Sequence, residues 1–193
     1  HEAPRTDEYL LLPDCATTGV KVREGNLEIK ANTRGPAHVT YPNEVSGYRD
    51  AWVKWSCAAE DEDTLRTMLA ACADRWAFVR KRRYVRLYSL DKGKPLEADA
   101  ATDRLERGCQ VEITSLKSAL GNFDTAPTAS EWSSASRWWS LSLEAFAPGS
   151  GGVTEEVMAL LNETAEHFFR DTPPCRLDPT ASRSYPAWLL GLA

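Results

Sequence analysis

The chain has 193 residues, of which 42% are apolar and 26% charged, with a formal net charge of −5. That length suits one domain, or one with a small annex, and allows a sizeable core. The acidic balance argues against a general nucleic-acid binder, no apolar run approaches the roughly 18 residues of a membrane-spanning helix, and 7 Trp, 6 Tyr and 5 Phe argue against disorder.

The 5 cysteines (Cys15, Cys57, Cys72, Cys109 and Cys175) are odd in number and widely spaced. With no CxxC and no Cys/His pair at zinc spacing, they read as reduced, mostly buried thiols of a cytoplasmic protein. A start at His1, without Met or an apolar signal segment, reads as a processed, truncated or tagged N-terminus. A mature N-terminal His can chelate copper, with His38 or His167 completing the site; that is one alternative reading.

In chain order, residues 5–12 read as a strand ending at Pro13. Residues 19–31 alternate on both sides of Glu24-Gly25-Asn26 and predict a hairpin. Residues 32–49, with Gly35, Pro36, Pro42 and Gly47, read as a loop. Residues 51–57 form the third alternating strand. The period then changes: Leu65, Met68, Leu69 and Cys72 make one stripe of a helix over 60–74. Residues 76–90 return to strand, 91–95 turn, 98–107 suit a short helix, and 111–116 are strand. Residues 121–136 read as loop, 138–146 as strand, and 154–170 as the strongest helix. Residues 171–186 are irregular, and the apolar tail 187–192 is expected to dock on the body.

Side chains alternate between the faces of a strand. Sorting them so places Lys21 and Arg23 opposite Val20 and Val22, Glu28 and Lys30 opposite Leu27 and Ile29, and Lys54 opposite Val53 and Trp55. Glu112 opposes Val111 and Ile113, while Ser142 and Glu144 oppose Trp139, Leu141 and Leu143. Over 78–88 one face carries Arg80, Arg82, Tyr84 and Arg86, the other Lys81 and Arg83, and which of them turns inward stays open. A one-sided sheet with its charged face in water explains the pattern. So does a closed barrel with a charged interior and helices outside. The second explanation also accounts for helices whose apolar stripes need a sheet face to cover, and for a face that mixes many bases with a few carboxylates.

Read in order, Gly19-Val-Lys-Val-Arg, Leu27-Glu-Ile-Lys, Phe78-Val-Arg-Lys-Arg-Arg-Tyr, Val111-Glu-Ile and Ser142-Leu-Glu-Ala-Phe resemble the strands of the CYTH superfamily, the triphosphate tunnel metalloenzymes. The resemblance spans residues 5–146. It implies an α+β fold, a single domain over residues 1–193: an antiparallel tunnel of about eight strands, with helix 154–170 and tail 171–193 packed on its exterior. It also implies a polyphosphate-type substrate with Mg²⁺ or Mn²⁺, hydrolysed by water attack after positioning and charge neutralisation. On that reading Lys21, Arg23, Lys30, Lys54, Arg80 and Arg82 grip phosphate, with Lys81 and Arg83 as substitutes for the last two, and Glu28, Glu112 and Glu144 hold the cation.

One departure matters. The family's N-terminal E-x-E-x-K strand is absent, and Ser142 stands where a second late carboxylate is usual. Either a preceding segment lies outside this chain, or metal chemistry is weakened and the barrel binds an anionic small molecule or a protein partner without catalysis. The implied partner is a phosphorylated small-molecule anion, with no nucleic acid and no membrane. Trp138-Trp139 reads as a core and rim pair, Asn162-Glu163-Thr164 as a sequon inside a helix, and residues 61–63 as a charged helix start. No P-loop and no G-x-S-x-G are present.

Overall fold

The computed structural model describes residues 3–58, 61–71, 75–91, 94–98, 105–122, 125–147, 154–171 and 177–191. Among them, β1 (Arg5–Leu10), β2 (Thr18–Arg23), β3 (Asn26–Thr40), β4 (Ser46–Ala58), β5 (Trp76–Asp91), β6 (Lys94–Ala98), β7 (Gly108–Gly121) and β8 (Arg137–Phe146) form one antiparallel sheet. Its order is β4-β3-β2-β1-β5-β7-β8, with β6 added beside β5. Four helices accompany it: α1 (Glu62–Ala70), α2 (Ala129–Ser134), α3 (Glu155–Asp171) and α4 (Tyr185–Leu190).

Turn and cap chemistry set the elements. Glu24 and Gly25 both have positive φ, 50° and 73°, which matches the two-residue hairpin turn closing Arg23 against Asn26. Asp61 caps α1 by accepting from the Asp63 amide. Thr128 and Glu131 form a reciprocal capping box on α2, and Ser184 caps α4 ahead of Pro186. The α2 helix lies where the polar stretch 121–136 reads as loop; its capping box is the overlooked signal.

Residues 32–49 are the largest correction. They are not a loop but the outer half of a long β3–β4 hairpin, paired from Asn26↔Ala58 to Thr40↔Ser46. Gly35 and Pro36 fall within the second of two register irregularities, between Arg34 and Ala37, where a strand tolerates residues that break regular pairing. The turn expected at 91–95 gives way partly to β6, and the helix expected at 98–107 falls largely outside the described residues.

The sheet is strongly curved. Lys30 on β3 and Glu144 on β8 are five strand steps apart in the sheet order, about 24 Å if it were flat. Their charged atoms lie 3.6 Å apart. The β3–β4 tip also folds onto α3: Tyr41 packs on Phe169 at 5.8 Å, and the Asn43 amide donates to the Phe169 carbonyl at 2.5 Å. Among the described residues no backbone pairing joins β4 to β8. The sheet is therefore an open trough held around by side chains, and not the hydrogen-bonded closed barrel that was expected.

Three apolar clusters hold the layers. On the convex face Val22, Trp76, Phe78 and Trp132 pack with Leu65 and Leu69 of α1, and Val45 packs with Ala165 and Phe169 of α3. Inside the trough Tyr9, Ala77, Val79 and Leu116 receive Leu189 of α4, so the apolar tail docks as its composition suggests, though inside the trough and not on its exterior. Helix cover on the convex face is incomplete: Trp55 and Trp139 are 55% and 67% exposed. Phe78→Ala should cost about 3–5 kcal/mol, whereas Trp139→Ala should change stability by about 0.5 kcal/mol or less. Urea unfolding midpoints of the two variants check the contrast.

Candidate functional site: a charged trough

The register places the predicted charges on one face. Lys21 pairs across β2–β3 with Glu28, and Lys30 pairs across β3–β4 with Lys54. Lys21 also lies opposite Tyr9 of β1, while Asp7 lies opposite Val79 of β5. Because every second residue repeats the face, Lys81, Arg83, Glu112 and Glu144 join this concave surface. Lys21, Arg23, Lys30, Lys54, Glu28, Glu112 and Glu144 thus stand where sequence alternation puts them.

Arg80 and Arg82 do not. They point to the convex face, where the Arg80 guanidinium stacks on the Trp132 ring at 4.3 Å. Their neighbours Lys81 and Arg83 take the inward positions. The run Arg80–Arg83 is basic at every position, so alternation alone could not say which pair turns in; the pairing of β5 with β1 and β7 settles it.

Sequence reasoning overlooked Asp7, Tyr9 and Tyr185. Asp7 has no exposed side-chain surface and is the centre of the deeper end. Lys81 approaches it at 2.9 Å, Lys21 at 3.4 Å and Arg5 at 3.4 Å. Lys81 also donates to the Tyr9 oxygen at 2.5 Å, and the Tyr9 hydroxyl donates to Asp7 at 3.3 Å. Tyr185 of α4 lies over Lys81, 4.2 Å from ring centre to ammonium, and stacks on Tyr9 at 5.9 Å. The alternation Arg5, Asp7, Tyr9 was a usable signal for the first two; nothing local marks Tyr185, which arrives from far along the chain.

Toward the open end, Glu28 is 3% exposed and meets Lys21 at 2.8 Å, Arg23 at 2.8 Å and Lys54 at 3.0 Å. Glu112 accepts from the Arg83 guanidinium at 2.8 Å and from Gln110 at 2.9 Å, and also from Thr114. Glu144 is exposed and pairs only loosely with Lys30.

Burial alone would raise these carboxyl pKa values, but the surrounding cations win. Lys81 and Lys21 hold Asp7 below its ordinary value. Lys21 and Lys54 hold Glu28 at about 2. Arg83, with help from Thr114, holds Glu112 down. Burial pushes Lys81 below the usual ammonium range against the pull of Asp7. Burial likewise raises Tyr9 and Tyr185.

Glu28, Glu112 and Glu144 share a face but not a site. Among the described residues no group of three His, Cys, Asp or Glu side chains could hold a metal ion together. A divalent ion at Glu28 would have to displace the ammonium and guanidinium groups already bonded to it. His1 lies outside the described residues. His38 stacks edge-on with Tyr48, and His167 with Tyr88. Of the described cysteines Cys109 is buried, whereas Cys15 is half-buried and Cys57 exposed, against the expectation of mostly buried thiols.

Two outcomes follow from the buried ion pairs. Asp7→Asn leaves Lys81 charged and uncompensated, which should cost about 3–5 kcal/mol. Asp7→Asn with Lys81→Met should recover much of that loss, read from urea unfolding at neutral pH. Asp7 and Glu28 have folded pKa values below their unfolded ones, so their contribution is complete above the ordinary carboxyl range. It is lost as the pH falls from about 4–5 toward 2. Thermal unfolding across that window should therefore show a steep decline in midpoint, shallower in Glu28→Gln.

No protein-family model, curated protein or solved structure matches this chain.

Proposed function

We propose that the trough binds a polyphosphate-type anion. The observation that carries this reading is the cross-strand pair Lys30 and Lys54, directly opposite in register and each about two-fifths exposed. Like charges placed opposite one another on a sheet repel, and an anion seated between them relieves that repulsion. Behind this pair the bases of the concave face (Arg5, Lys21, Arg23, Lys81 and Arg83) leave the surface cationic after Asp7, Glu28, Glu112 and Glu144 are neutralised. The curved walls exclude part of the solvent and strengthen each contact. Arg23 and Arg83 can grip phosphate oxygens bidentately by exchanging their carboxylate partners.

The motif order that resembles the CYTH superfamily supports the same reading, with the trough narrowed to a tunnel where Lys30 meets Glu144. The paired state of the carboxylates favours binding without metal-dependent turnover. Among the described residues no helix is long and apolar enough to cross a membrane. The free thiols of Cys15, Cys57 and Cys109 suit a reducing compartment where phosphoanhydrides occur, the cytoplasm.

Tripolyphosphate should raise the unfolding midpoint saturably in the presence of a chelator, more than sulfate at equal ionic strength. Lys30→Ala with Lys54→Ala should weaken binding about tenfold or more, the scale of losing charge-assisted hydrogen bonds. High salt should weaken it further. Absence of any shift overturns the reading. Phosphate release that depends on Mg²⁺ or Mn²⁺ would restore the hydrolytic form of it.

A further inference from the structure

Among the described residues, helices cover the convex face of β5, β7 and β8 at both ends, and its middle is part exposed. At one end α2 seats Trp132 on Phe78 and Arg80. At the other, α3 packs Ala165 and Phe169 near Leu141 and Leu143, and His167 lies against Tyr88. Between the two helices the register sets Tyr84, Ile113 and Leu141 in one row, and Arg82, Ser115 and Trp139 in the next. Tyr84 is 43% exposed, Ile113 42% and Trp139 67%.

The charge of this strip is one-sided. Arg82, Arg86 and Arg137 border the apolar row and are exposed. The outward positions of the three strands between the helices, over 80–86, 111–117 and 137–143, carry no carboxylate. Arg86 reaches across to Glu97 of β6 at 3.6 Å, with both side chains largely exposed; no described ion pair engages Arg82 or Arg137. Exposed Trp, Tyr and Arg around an aliphatic centre is the composition of a protein contact, in which aromatic anchors are ringed by polar groups.

The dimensions select the form of the occupant. Five residues of strand, from Arg82 to Arg86, span about 13 Å. A helix with its side chains is about 10–12 Å across. One more helix between α2 and α3 would complete the convex layer. We propose that this strip docks an amphipathic helix of a partner protein, with an apolar stripe seated on Ile113, Tyr84 and Trp139 and carboxylates on its flanks meeting Arg82, Arg86 and Arg137. An aliphatic floor suits leucine-like side chains better than nucleobases, which favours a peptide over single-stranded nucleic acid.

The probe is a fluorescein-labelled, helix-forming peptide with Leu and Phe on one stripe and Glu on both flanks, read by anisotropy. Its controls are the same peptide with Lys in place of Glu, and an oligodeoxythymidine. The Glu peptide should bind saturably and the Lys peptide should not. Arg82→Glu with Arg137→Glu should weaken binding at least about tenfold, and Trp139→Ala about tenfold. Glu24→Gln, in the exposed β2–β3 turn, should leave it unchanged, and circular dichroism should show all variants folded. The proposal is overturned if the Glu peptide fails to bind, if binding is indifferent to both convex-face variants, or if the oligonucleotide binds in its place and loses affinity in the same variants.

Discussion

A carboxylate with no exposed surface sets the terms for this molecule. Asp7 sits on β1, the central strand, and an isolated charge at such depth is costly enough that partners must be built around it. Lys81 from β5 and Lys21 from β2 supply them, one from each neighbouring strand. Tyr9 and Tyr185 then close the ammonium of Lys81 between two rings. The same rule repeats toward the open end, where Glu28 gathers three cations from β2 and β4. Each carboxylate ties adjacent strands together by side chains on the inner face, and the inner face becomes a lattice of alternating charge.

Curvature turns that lattice into a place. A flat sheet with the same residues would offer a wide polar surface in water, where ion pairs contribute little. Here the β3–β4 hairpin bends far enough to rest on α3, and β3 comes within side-chain reach of β8. The wrapping is done by Tyr41, Val45 and Asn43 on one side and by Phe169 and Ala165 on the other, with no backbone ladder closing the gap. The width of the trough is accordingly set by packing at one helix, and the charged groups respond to that packing without touching it.

Much of this was legible in the residues, and the failures have identifiable physical causes. The hairpin around Glu24-Gly25, the helix at 154–170 and the inward set Lys21, Arg23, Glu28, Lys30, Lys54, Glu112 and Glu144 all follow from periodicity. Where Gly35 and Pro36 interrupt β3, the interruption was local and cross-strand pairing to β4 outweighed it. Between Arg80 and Arg83 every residue is a base, so alternation carried no information and tertiary pairing chose. Asp7 was readable from the Arg5-Asp7-Tyr9 spacing. Tyr185 was not, because its role comes from where α4 is delivered and not from its neighbours in the chain. The ion pairing of the carboxylates was not legible for a related reason: sequence shows which groups share a face, while the number of cations within reach of each is a three-dimensional quantity.

The way α4 enters the trough bears on the order in which the molecule can mature during synthesis. Tyr9, Ala77 and Val79 lie under Leu189 and Tyr185, residues translated long after β1. Until the ribosome has released that late segment, the pairing around Asp7 and Lys81 stands without its lid and the apolar floor beside it is wet. The early strands can assemble as an unfinished intermediate, but consolidation waits on contacts between distant stretches of polypeptide, which fold slowly and leave sticky surface uncovered meanwhile.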